Sequence, residues 1–118
     1  MEGVDLKAGR RTLNIRSHRG LELVPVADIR CFSASQKYIT VYHTHGTSML
    51  DSSLKRLLNE FSGNFVRVHR NALVSFRHIV GLRTVGIGRV TVQIQHVAFQ
   101  PNVSRRRVGY LRNLLSDR

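Results

Sequence analysis

The residues of this chain with chemistry to offer are mostly cations, and they recur where the backbone pattern breaks. Lys37, preceded by Gln36, stands between two apolar stretches. His69 and Arg70, followed by Asn71, end the alternating run "FVRVHR". "SRRR", Ser104 to Arg107, opens a C-terminal apolar periodicity. Loops and element ends are where side chains project from a rigid scaffold. Lysine and arginine neutralise phosphates, and an arginine fork can bridge O6 and N7 of guanine in the major groove. Arg105, Arg106 and Arg107 in a first helical turn oppose a dipole that favours negative charge there. That conflict points to a demand from outside the fold, and free N–H groups at a helix start also suit a phosphate. The plainer reading is that one or two of these arginines are merely solvated. His69 and Arg70 could equally be only the polar end of a strand.

The overall charge favours the first reading. Lys and Arg number 19 against 7 Asp and Glu, a formal net charge of +12 in 118 residues. Solubility rarely needs more than about 8 charges, and an excess of this kind attracts polyanions, nucleic acid first among them. Other chemistries find little support. "HTH" pairs His43 and His45 at a spacing that could share a metal on one strand face, but no third ligand type lies near in sequence. Asp28 and Asp51 fit caps of turns or helices better than catalytic carboxylates. "GIG" at 86–88 lacks the further glycine and helix of a phosphate loop. The chain is therefore expected to be no enzyme and to need no cofactor or metal. No run approaches the ~20 apolar residues of a membrane span, and the start lacks a signal-peptide core. The single Cys31 excludes an intrachain disulfide and reads as a small buried hydrophobe. Together these read as a cytoplasmic domain without membrane association.

The elements that must position the cations are mostly β. Residues 1–11 carry mixed charges without periodicity and read as a linker or terminal extension, with the domain over 12–118. Period-2 alternation predicts strands at "TLNIRS", "LELVPV", "ADIRCFSAS" after a short turn, and "YITVYHT", with a hairpin centred on Gly46. One internal helix is predicted, capped by Ser52 or Ser53, with Leu54, Leu57, Leu58 and Phe61 at helical spacing and Gly63 stopping it. "NFVRVHR" predicts a strand and "NALVS" a turn. "HIVGLRTVG", "RVTVQIQ" and "VAFQ" predict three more strands, with Gly86 and Gly88 flanking a hairpin. Val108, Leu111, Leu114 and Leu115 mark a terminal helix. Phe65, Val66, Val68, Leu73, Val74, Ile79 and Leu82 read as core, and Tyr38 and Tyr42 as packing residues. Arg67, out of phase with its valine neighbours, reads as an exposed cation or an ion-pair partner for Glu60. Without two consecutive helices, a recognition-helix mode is disfavoured, so loops between strands would have to read any DNA.

Three segments resemble one family. "FVRVHRNALVSFRHIVGL" is similar to the LytTR-type signature F-x-R-x-H-R-S-x-L-V-N-x-x-x-I. "VSRRRVGYLRNLL" resembles that family's closing helix start, and "ADIRCFSASQKYITVYHTHG" its strand–loop–strand segment. The resemblance covers about residues 12 to 116 and is nearest to the AlgR branch of response regulators. It implies an elongated arrangement of small antiparallel β-sheets, serving as the output domain of a two-component regulator behind a receiver domain absent here. It also implies binding to double-stranded promoter DNA, often at paired direct repeats, with loops in successive major grooves. The contacting positions it implies are Gln36 and Lys37, then His69, Arg70 and Asn71, then Ser104, Arg105 and Arg106. Base readout falls to Arg70, to Arg105 or Arg106, and to Lys37. Phosphate contact falls to Arg107, Arg10, Arg11 and the Ser104 hydroxyl. Asn71 stands where the family usually has serine and Ser75 where it usually has asparagine, which touches local contacts and leaves the fold intact. The alternatives are an RNA-binding β-domain, which calls for more exposed aromatics than 7% provides, and a basic module that meets an acidic protein.

Overall fold

The computed structural model describes residues 12–17 and 20–118. Among the described residues, nine strands and two helices form, in chain order: β1 Thr12–Ser17, β2 Gly20–Pro25, β3 Ile29–Ala34, β4 Ile39–His43, β5 Gly46–Leu50, α1 Leu54–Glu60, β6 Phe65–His69, β7 Ala72–Ser75, β8 Ile79–Val85, β9 Arg89–Ile94 and α2 Arg105–Ser116. Every pairing is antiparallel. A five-stranded sheet in the order β5-β4-β3-β7-β6 is flanked by the two-stranded sheets β1-β2 and β8-β9. The described domain is longer than it is wide, 45 × 31 × 24 Å.

The central sheet is covered on both faces. On one side, Ile29, Phe32, Ile39, Val41, Phe65 and Leu73 pack against Leu13, Ile15 and Val24 of the β1-β2 hairpin and Leu54, Leu57 and Phe61 at α1. On the other, Cys31, Val66, Val68, Ala72 and Val74 meet Val90, Val92 and Ile94 of β9 and Leu111 of α2. A bulge between Ile29 and Cys31 shifts the β3 register. It explains how Ile29 and Phe32, three apart, reach one face of a period-2 strand. Burying each of these large side chains contributes roughly 1.5–3 kcal/mol, which is what holds otherwise marginal two-stranded ribbons in place.

Several expectations change here. Only Asn71 of "NALVS" is turn, together with the preceding Arg70; Ala72–Ser75 is β7, all four residues buried. It lies between β3 and β6 with both faces covered, so its pattern is continuous and not alternating. "VAFQ" is not a strand. A single bridge joins Ile94 to Val97 after His96 turns the chain at φ 66°. The edge pairing with β9 comes later: Val92 N–H donates to the Pro101 carbonyl (2.9 Å) and Val103 N–H to the Val90 carbonyl (2.8 Å). The β8-β9 connection spans residues 86–88, with Gly86 and Gly88 both at positive φ and Ile87 fully exposed. Ser53, not Ser52, caps α1, its hydroxyl accepting from Arg56 N–H (3.2 Å). The helix then ends at Glu60 through Phe61, and Gly63 takes no left-handed conformation. Tyr42 packs, stacked on Phe99 at 4.5 Å between ring centroids, whereas Tyr38 is exposed.

Candidate nucleic-acid interface

The three basic segments converge at one end of the strands of the central sheet. The β3-β4 loop follows Ala34, the last residue of β3, whose N–H donates to the Asn71 carbonyl in the β6-β7 turn (2.8 Å). The loop is closed by Ser35, which donates to the Tyr38 carbonyl from both its N–H (2.9 Å) and its hydroxyl (3.2 Å). On the far side of that turn, Ser104 N–H at the start of α2 donates to the Val68 carbonyl of β6 (2.9 Å). Segments far apart in sequence are thus joined by backbone hydrogen bonds, whose geometry is more constrained than side-chain contact.

Each expected contact residue can now be placed. Gln36, Lys37, Arg70, Asn71, Arg105 and Arg106 are exposed; His69, Ser104 and Arg107 are half-buried. The guanidinium groups of Arg70, Arg105 and Arg106 make no hydrogen bond among the described residues. They are therefore charged forks held on ordered backbone with their donors unspent. His69 has a structural part: its Nδ1 accepts from Asn71 N–H (3.2 Å). That bond shapes the turn and leaves the ring proton on Nε2, still a donor. Ser104 is the N-cap of α2, yet its side chain caps no backbone N–H. Its hydroxyl and the first N–H groups of the helix are available to an anion. Arg10 and Arg11 lie outside the described residues.

Arg67 and Arg107 differ from the rest. The Arg67 guanidinium donates to the Arg70 carbonyl (2.7 Å), inside its own turn. Arg107 donates from Nε to the Arg67 carbonyl (2.9 Å), and its guanidinium lies 4.5 Å from the centre of the Tyr110 ring.

One cation escaped sequence reasoning. An open groove of about 360 Å³ runs between the β3-β4 loop and α1, lined by Gln36, Lys37, Tyr38, Lys55, Arg67 and Arg70. Lys55 sits in the first turn of α1, which holds no acidic residue. The dipole conflict that marked "SRRR" was present in "SSLKR" as well and would have found it. His43, by contrast, is buried and committed: its Nδ1 accepts from His45 N–H (3.3 Å), and Nε2 lies 3.0 Å from Ser48 Oγ. Ser48 in turn donates to Glu22 (2.7 Å). This chain of bonds ties the β4-β5 hairpin to β2 and accounts for the first histidine of "HTH".

Unspent cations thus stand on two loops and a helix start at one end of the central sheet of a mostly β domain. The chain belongs to the LytTr DNA-binding domain family, whose model matches residues 19–116. It is a DNA-binding domain of the kind carried by transcription regulators. A solved structure, the LytTr DNA-binding domain of a putative methyl-accepting/DNA response regulator from Bacillus cereus, superposes with a TM-score of 0.78. It covers 91% of this chain and 98% of its own at 21% identity, so the fold is shared. The positive alginate biosynthesis regulatory protein of Pseudomonas aeruginosa is 36% identical over 107 residues, 90% of this chain. That regulator represents the branch that the motifs of this chain indicated. The chain spans 43% of the regulator's length. Among the described residues, no helix is long and apolar enough to cross a membrane.

Proposed function

We propose that this domain reads a specific sequence in double-stranded promoter DNA and so directs transcription, as the output domain of a two-component regulator in the cytoplasm. Its activity is binding alone, without a catalytic step. The observation that carries this reading is the convergence of the β3-β4 loop, the β6-β7 turn and the α2 start at one end of the central sheet, linked by Ala34 N–H to the Asn71 carbonyl and Ser104 N–H to the Val68 carbonyl. Loops at one end of the strands can enter successive grooves while the sheet stays rigid. Arg70 and one of Arg105 and Arg106 read guanine edges, and Lys37 serves the first loop, with Gln36, His69 and Asn71 as hydrogen-bonding neighbours. Phosphates are held by the Ser104 hydroxyl, the open N–H groups of α2 and Lys55 beside the groove.

The 43% coverage of the alginate regulator leaves room for a further domain in the intact protein. The family supports identifying it as a phosphorylatable receiver, with two such proteins pairing on tandem DNA repeats. Selection of bound duplexes from a random pool tests the reading. A recurring motif, repeated about one helical turn apart, is the expected result. A parallel titration with duplex DNA, single-stranded DNA and RNA at one salt concentration separates the alternatives. Preference for single strands would replace the proposal with an RNA-binding domain. Binding without a counterion-release slope would point to an acidic protein partner.

A further inference from the structure

Arg107 and Arg67 form a brace between two reading elements. β6 is an edge strand, and the start of α2 covers it where its register shifts between Arg67 and His69. In a regular strand, neighbouring carbonyls face opposite ways. Here the shift lets both accept from the helix start: the Arg67 carbonyl from Arg107 Nε (2.9 Å), the Val68 carbonyl from Ser104 N–H (2.9 Å). The Arg67 side chain carries the connection onward to the Arg70 carbonyl (2.7 Å), in the turn that presents Arg70 and Asn71. Tyr110, one turn along α2, holds the Arg107 guanidinium at 4.5 Å and restricts its rotamers. Arg105 and Arg106 share the sequence run but are exposed, with no side-chain hydrogen bond among the described residues.

We propose that Arg107 and Arg67 are positioning residues that fix the β6-β7 turn against the first turn of α2, so that Arg70 and its partner on the helix meet their bases in register. This rests on the DNA-reading function proposed above. It removes Arg107 from the phosphate contacts that its place in "SRRR" implied. A bidentate arginine–guanine contact tolerates little displacement, so a loose brace lowers discrimination between sequences. Phosphate contacts on flexible cations tolerate more, so affinity for arbitrary DNA stays nearly constant.

The test uses the duplex that the wild-type protein selects from a random pool, and a scrambled duplex of equal length. Binding to each is measured over a range of salt concentrations. Arg107→Gln keeps a donor for the Arg67 carbonyl and loses the charge; the expected result is wild-type discrimination and an unchanged salt slope. Arg107→Ala loses both; the expected result is about tenfold weaker discrimination with the slope again unchanged. Arg67→Ala should act on the same turn, so the double variant should lose no more discrimination than the worse single variant. A slope lower by about one unit in Arg107→Gln would make Arg107 a phosphate contact and overturn the proposal. So would unchanged discrimination in Arg107→Ala, or additive losses in the double variant. If Arg107→Ala does not fold, the slope and discrimination of Arg107→Gln decide alone. Wild-type protein that prefers no duplex overturns the DNA-reading function itself, an outcome distinct from any confined to the variants.

Discussion

Replacing Arg70 by alanine should change specificity and leave the fold as it was. Arg70 is exposed, and its only hydrogen bond among the described residues is through its backbone carbonyl, which accepts from Arg67 (2.7 Å). Truncation at Cβ preserves that carbonyl, so the unfolding free energy should stay within about 0.5 kcal/mol of wild type, as for other surface positions. The base contact is a different matter. A bidentate arginine–guanine pair contributes about 1–3 kcal/mol of discrimination, a factor of roughly 5 to 150. The change should be confined to one position of the selected site. Fluorescence anisotropy competition, with each base of the selected duplex substituted in turn, reads this directly. The mutant should bind all four bases at one position alike and keep its preferences elsewhere. Arg70→Lys keeps the charge without the planar fork and should recover affinity for arbitrary DNA but not the lost preference. Refutation would be a uniform loss across all duplexes, with preferences intact and the salt slope lower by about one unit. Arg70 would then be a phosphate contact, and base readout would rest on the α2 start and the first loop.

Lys55→Ala should lower the salt slope by about one unit without altering sequence preference. Because it removes a cation from a first helical turn that holds no acid, urea titration should show equal or slightly greater stability. Burial pushes the Cys31 thiol up to about 12, so a thiol reagent at about pH 8 should label it only after denaturant unfolds the protein. Rapid labelling of the native state would contradict its burial. For His78, burial, with the positive charges of Arg30, Arg77 and His96, holds the imidazole below its ordinary value of 6.5. The unfolded chain therefore binds the proton more readily than the folded one. The folded state's advantage is complete above pH 6.5 and is lost as pH falls through that value toward the folded pKa. The urea midpoint should rise with pH across this window, and His78→Asn should flatten the rise; an equal rise in the variant would assign it to other groups.

What the sequence determined by itself was local: which residues could pair with a polyanion, and which stretches alternate with a strand's or a helix's period. Alternation is plainest in β1 and β4, where buried residues are separated by exposed or half-buried ones. The conflict between arginines and a helix dipole marked the start of α2. Charge excess and motif spacing identified the ligand class and the family. Periodicity could not find β7. A strand between two others with both faces buried has no alternation to display, and Asn71 and Ser75 at its ends look like turn residues. Nor could it locate the pairing at Asn102, where a bridge to Thr91 stands in place of the expected strand at 97–100. That pairing depends on where His96 turns the chain.

Only the tertiary structure decided how the cations divide their work. Arg105, Arg106 and Arg107 are indistinguishable as letters. Yet the helical turn exposes two of them and aims the third at a β6 carbonyl that a register shift has turned outward. The same packing brings Lys55 to the groove beside Lys37 and Arg70. Side-chain identity sets which interactions a residue can make; the backbone groups placed within its reach by distant segments determine which of them it does make.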